Sequence, residues 1–254
     1  MKKLVVILTF FLIFINNSVF AAEKIVKKDI KVLASDGFAI TATFEYPNIK
    51  GKKEYSTVIL LHSLGYNSAW WGSLPQKFLD KGYAVLLIDL RGHGNSVYNS
   101  KLSRVSWKSL TNKAFSKYPD DVISVINYVK NENPKKVFFN NYAIVGADIG
   151  ASTAIIASSK IQPKPKTIVL LSPVINAKGL YTPVKLADLG RVDVFSISGT
   201  NDLESQDAQD YLSKFAQGEF TTYISSSQST GMLMLKNDTE LPSLISEWIF
   251  QYLK

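Results

Sequence analysis

Hydrophobic positions along this chain follow two regimes. Residues 25 to 34 and 38 to 46 alternate apolar and polar side chains on either side of Asp36-Gly37. A period of two broken by a turn-forming dipeptide predicts an antiparallel hairpin. From residue 56 onward the pattern becomes short unbroken apolar runs: "STVILLH", "YAVLLID", "YAIVG", "KTIVLLS" and "VDVFSIS". Such runs read as parallel strands covered on both faces. Helices are predicted between and after them over residues 69–81, 118–131, 149–159, 206–215 and 240–253. The last of these places Leu241, Leu244, Ile245, Trp248, Ile249 and Tyr252 at helical spacing.

Strand and helix in alternation predict an α/β fold: a doubly wound, mostly parallel sheet of about eight strands, with the N-terminal antiparallel hairpin at its start and helices on both faces. Functional groups of such a sheet gather at the carboxyl ends of its strands. Turn signals come at even intervals, without an internal repeat or long linker, so residues 22–254 are expected to form a single domain.

The first residues change the picture of where the protein works. "MKKLVVILTFFLIFINNSVFAAEK" has a basic start, an apolar run from Leu4 to Ile15, and the small residues Val19 and Ala21 before a cut. This predicts a signal peptide over residues 1–21 and an exported protein, periplasmic or secreted. The alternative is an uncleaved membrane anchor, but a span needs about 20 apolar residues and this run is shorter. No stable membrane span is expected after cleavage.

Composition narrows the partners. The 254 residues carry a net charge of +8. Loss of Lys2 and Lys3 with the leader leaves 27 basic against 21 acidic residues, a charge of +6. The basic residues are scattered and lack an aromatic stacking platform, which argues against nucleic acid and leaves a small-molecule ligand as the expected partner. There is no cysteine, so disulfides, zinc-thiolate sites and lipid attachment at a cysteine are excluded. No cofactor and no metal site is expected.

The candidate chemistry centres on "YAIVGADIGASTAI", residues 142 to 155. Gly146-x-Asp148-x-Gly150 has the spacing of a strand-to-helix elbow, where glycines on both sides let strand and helix approach closely. "LLHSLGYNSAWW" and "LIDLRGHGNS" precede it in order. Together the three motifs resemble the α/β-hydrolase superfamily from about Val58 to the C-terminus, and within it the small, lidless, esterase-like and dienelactone-hydrolase-like members.

That resemblance implies roles for particular residues. The oxyanion hole corresponds to the backbone N–H groups of Leu64 and Ile149, and the acid of the triad to Asp202. The base histidine is expected in the turn before the last helix, where Thr230 stands, with Gln228 and Ser229 beside it. The nucleophile position, serine in most members, holds Asp148. Haloalkane dehalogenases and epoxide hydrolases do attack carbon with an aspartate, but a histidine then activates the water that releases the ester. The only imidazoles here are His62 and His93. Both follow carboxyl ends of predicted strands, and the corresponding positions in the superfamily hold their loops by hydrogen bonds to backbone.

Beside the nucleophile position, Asp148 has a structural reading: its carboxylate caps the following helix and in doing so fills the place where an oxyanion would develop. Tyr66, Trp70, Trp71 and Trp107 either line a cleft or pack inward, and of the adjacent Trp70 and Trp71 one must face the core. The expected protein is therefore an exported hydrolase homologue with a degenerate triad, catalytically impaired. The alternative is an active hydrolase of small ester-like substrates working through Asp148, with His62 or His93 as base.

Overall fold

The computed structural model describes residues 24–254 apart from residues 134 and 135. The expected signal peptide lies outside the described residues. In chain order the strands are β1 (Ile25–Leu33), β2 (Ala39–Pro47), β3 (Tyr55–Leu61), β4 (Ala84–Ile88), β5 (Val137–Ala147), β6 (Thr167–Leu171), β7 (Asn176–Ala177), β8 (Leu180–Tyr181), β9 (Asp193–Gly199) and β10 (Phe220–Ser225). The helices are α1 (Leu74–Asp80), α2 (Asn112–Phe115), α3 (Tyr118–Glu132), α4 (Ile149–Lys160), α5 (Pro183–Ala187), α6 (Leu203–Ser213), α7 (Met234–Asn237) and α8 (Leu241–Tyr252). Eight strands form one sheet in the order β1-β2-β4-β3-β5-β6-β9-β10. β1 and β2 are the antiparallel hairpin, with Leu33 opposite Ala39. From β4 to β10 neighbouring strands are parallel. This is the α/β-hydrolase fold.

Residues of opposite parity along each strand face opposite sides of the sheet. Ile59 and Leu61 of β3 join Leu86, Ile88 and Ile144 beneath α3 and α4, which contribute Tyr118, Val122, Val125, Ala154 and Ile155. Val58 and Leu60 face the other way, with Val85, Leu87 and Val145, beneath Leu74 and Phe78 of α1 and Ile245 and Ile249 of α8. Both faces are covered, which is why these strands read as unbroken apolar runs. Each fully buried Leu or Ile among them contributes about 1.5–3 kcal/mol.

Central α4 is buried along ten of its residues and is rich in small side chains. A Cβ at Gly150 would collide with the Leu61 carbonyl, and one at Gly146 with the Gly150 carbonyl. Strand and helix can meet at the elbow only because both positions are glycine.

Three details depart from the sequence reading. The single helix expected over 69–81 is a 3₁₀ turn, Ser68–Trp71, followed by α1, because Gly72 breaks the chain direction with φ 58°. The stretch between β6 and β9 holds the small β7–β8 hairpin and α5, elements too short for periodicity to reveal. β10 is an edge strand whose middle residues are exposed, so it lacks an apolar run.

Arg91 ties the hairpin turn to the helical layer. Its buried guanidinium donates to both oxygens of Asp121 on α3 at 2.8 and 2.7 Å, and to both oxygens of Asp36 at 2.7 and 3.1 Å. Lys117 also donates to Asp36.

Candidate active site

The elbow is built by backbone hydrogen bonds. Asp148 sits between β5 and α4 with φ 52° and ψ −116°, a strained positive-φ conformation outside the left-handed helical well. Its N–H donates to the Leu171 carbonyl at 2.8 Å, and its carbonyl accepts from the Ala151 N–H at 2.9 Å. These bonds fix the side chain at the carboxyl ends of β3 and β5.

The carboxylate does not cap α4. Although Asp148 occupies the N-cap position, its side chain makes no capping hydrogen bond. It reaches across to the turn after β3, where the Leu64 N–H donates to Oδ2 at 3.0 Å. Burial pushes the Asp148 carboxyl above the usual carboxylate range. The N–H groups of Leu64 and Ile149 pull the other way, and the charges of Asp202 and Glu204 add to the upward shift.

Neither histidine has a free ring nitrogen. The Leu90 N–H donates to His62 Nε2 at 2.9 Å, which makes that nitrogen the acceptor and leaves the proton on Nδ1, 2.8 Å from the Ser63 carbonyl. His93 repeats the arrangement: Gly65 N–H donates to Nε2 at 3.0 Å, and Nδ1 lies 3.1 Å from the Arg91 carbonyl. The rings meet edge to face at 4.9 Å, and His93 stacks on Trp107. Both imidazoles are buried and pin the turn after β3 to the loop that starts at Leu90.

Burial is the main cause that holds His62 neutral, lowering its pKa to about 4; His93 is lowered for the same reason. Unfolded, the His62 ring protonates near its ordinary 6.5. Between these values the unfolded chain binds more protons, so stability falls as pH drops through that window. His62 alone is expected to cost roughly 2–3 kcal/mol between pH 7 and about 4.5. Urea unfolding at the two pH values checks this: His62→Gln should lose that much less than the parent chain, and an equal loss would contradict the buried neutral ring.

Asp202 stands just past β9 and caps α6, accepting from the Ser205 N–H at 3.3 Å. Its Oδ2 is buried and has no hydrogen-bond partner among the described residues. The loop from Ser226 to Gly231 closes over this edge. Thr200 N–H donates to the Ser227 carbonyl at 2.8 Å, Gly231 N–H to Ser172 Oγ at 2.6 Å, and Met232 N–H to Ser63 Oγ at 3.2 Å. A Cβ built on Gly231 would lie 3.7 Å from the Asp148 Cβ. Thr230 is therefore one residue from the point where this loop touches the elbow. Ser226, Ser227, Gln228, Ser229 and Thr230 offer only neutral side chains here. Ser63, Ser172 and Met232, which pin the loop, carried no signal in the sequence, because their partners lie 59 and 169 residues away.

The aromatics divide. Trp71 is buried and Trp70 is half-exposed. Tyr66 and Trp107 line a cavity of about 170 Å³ beside the turn after β3, together with Asn67, His93 and Arg104.

Chemically the site has an acceptor where an acyl-transfer enzyme needs donors free. By the α/β-hydrolase resemblance, an oxyanion forming at this corner would be held by the Leu64 and Ile149 N–H groups. The Asp148 side chain occupies the first of these through the bond from the Leu64 N–H, and both imidazoles have their ring nitrogens engaged with backbone.

Comparisons with known proteins agree with this architecture. The sequence pattern of the serine aminopeptidase S33 family matches residues 52–203, more than half of the chain, and ends ahead of Thr230. A probable lipase of Schizosaccharomyces pombe is 27% identical over 161 residues, covering 58% of this chain and 34% of that protein. The chain thus spans about a third of the length of this curated relative. Among solved structures, an esterase of Pyrococcus furiosus superposes with a TM-score of 0.67 at 18% identity, covering 90% of this chain and 94% of the other. A dienelactone hydrolase from Anabaena variabilis gives 0.65 at 14% identity, with 91% and 99% covered. A cold-adapted esterase from an Arctic intertidal metagenomic library gives 0.68 at 13%, with 91% and 95% covered.

Proposed function

The chain belongs to the serine aminopeptidase S33 family of α/β-hydrolases, and from that premise we propose that it is an exported, catalytically impaired member that keeps the scaffold and a ligand cleft. The observation that carries this reading is the 3.0 Å hydrogen bond from the Leu64 N–H to Asp148 Oδ2. It puts a carboxylate, at the position of the family's nucleophile, into the place reserved for the developing oxyanion. Attack by this group on an ester carbonyl would give an anhydride from a weak nucleophile. Attack on an alkyl carbon would give an ester that needs an activated water for release. His62 and His93 are the imidazoles available, and both spend their nitrogens on backbone. Export is supported by the leader-like composition of residues 1–21. The cavity lined by Tyr66 and Trp107 supports a retained small-molecule site.

Isotope labelling tests the catalytic part. The protein is incubated in H₂¹⁸O with a panel of short acyl and alkyl esters, and the peptide holding Asp148 is weighed. Turnover through an aspartyl ester leaves ¹⁸O in that carboxylate. No enrichment above a substrate-free control is expected, and substrate-dependent enrichment would overturn the reading.

A further inference from the structure

From residue 90 to residue 119 the chain has no Asp or Glu, while it carries Arg91, Lys101, Arg104, Lys108, Lys113 and Lys117. Arg91 is buried in its ion pairs and Lys117 is paired with Asp36. Lys101, Arg104, Lys108 and Lys113 are exposed and form no ion pair among the described residues. The segment returns on itself through an antiparallel bridge between Tyr98 and Arg104. Its tip is rigid: Asn99 Oδ1 accepts from the N–H groups of Lys101 and Ser103, and Leu102 N–H donates to the Asn99 carbonyl at 2.9 Å. At that tip Leu102 is 79% exposed and held at φ 58°. A leucine in left-handed backbone costs conformational energy and, in water, gains nothing by burial.

Neighbouring residues extend the same surface. Leu33 lies opposite Ala39, Ala39 opposite Tyr98, and Tyr98 opposite Arg104. Directly opposed residues in antiparallel pairs share a face, so exposed Leu33 (68%), Tyr98 (42%) and Arg104 lie on one face around the buried Ala39, with Lys31 and Asp29 two and four residues before Leu33 on that face. Asp36, on the turn against which Ser100 packs, is neutralised by Arg91 and Lys117. The surface therefore combines apolar projections with a cationic rim.

We infer that residues 98–108 dock on an anionic lipid bilayer, with Leu102 entering the headgroup region and Lys101, Arg104 and Lys108 meeting lipid phosphates. A bilayer satisfies both halves of the surface at once, since apolar tips bury in the interface while flanking cations face anionic headgroups. The docking face adjoins the cavity lined by Arg104 and Trp107, so the cleft would open toward the membrane.

A unique label tests this, because the chain contains no cysteine. Leu102→Cys in the full chain is coupled to the environment-sensitive fluorophore NBD, with labelled Thr222→Cys on the far edge strand β10 as control. Mixing with vesicles of phosphatidylcholine and phosphatidylglycerol should shift the position-102 emission to the blue and leave the control unchanged. Phosphatidylcholine vesicles alone should give little shift. Each cation is worth about fivefold in affinity, so combining Lys101→Glu, Arg104→Glu and Lys108→Glu, which removes three cations and adds three repelled anions, should weaken the response by more than about 100-fold, and about 0.5 M salt should abolish it. Equal shifts on both vesicle types, no shift on either, or a response indifferent to salt and to charge reversal would overturn the inference. The local readout keeps any insertion of the leader from counting as support.

Discussion

Replacing Arg91 with leucine is expected to cost about 3–5 kcal/mol of folding stability, because it leaves the buried Asp121 carboxylate without its counter-ion. The guanidinium makes two charge-assisted bonds to Asp121 and two more to Asp36, and it stacks over the Phe38 ring with Cζ 4.4 Å from the centroid. Its own carbonyl accepts from Tyr118 Oη at 2.8 Å and pairs with His93 Nδ1. One side chain thus joins the β1–β2 turn, the loop that anchors the second imidazole, and α3. For a domain of this size the loss corresponds to a fall in Tm on the order of 10 °C. Removing both charges, Arg91→Leu with Asp121→Leu, should recover part of it, since the uncompensated ion is gone. Denaturant unfolding checks both, and a cost below about 1 kcal/mol for the single change would show that the network contributes little.

Much of this architecture was legible in sequence because burial on both faces leaves an unmistakable trace. β3, β4, β6 and β9 carry continuous apolar runs, and Gly146 and Gly150 announced the tight elbow. β10 was silent, since an exposed edge strand needs no apolar face. The break at Gly72 was equally hard to see, because Leu74 and Phe78 continue a helical spacing beyond it. At the site, motif positions singled out Asp148, Asp202, Thr230 and both histidines as candidates. Where the Asp148 carboxylate points could not be read from them. A helix N-terminus and a neighbouring loop both offer donors, and the choice of the Leu64 N–H depends on how two remote segments come together. The pins on the last loop, from Gly231 to Ser172 and from Met232 to Ser63, depend on contacts between remote segments with no local pattern.

The second large effect is a gain of activity. Asp148→Ser removes the carboxylate from the Leu64 N–H and supplies a hydroxyl at the elbow, while Thr230→His supplies a base on the loop that touches it. Asp202 Oδ2, buried and without a hydrogen-bond partner among the described residues, is the acceptor that would orient the imidazole. Triad members act as a unit, and loss of one costs several orders of magnitude. Either change alone should therefore remain inert. The pair, in a site not refined for it, should exceed the parent chain by about 100-fold or more, with a rate that falls as the imidazole protonates below about pH 6.5. The steady-state rate of short-acyl ester hydrolysis by this double variant, beside the parent and both single variants, tests most directly the claim that the scaffold lacks only a nucleophile and a proton carrier. The account predicts multiple turnovers from the double variant alone. A folded double variant no faster than the parent, or a parent already turning over through Asp148, would contradict it.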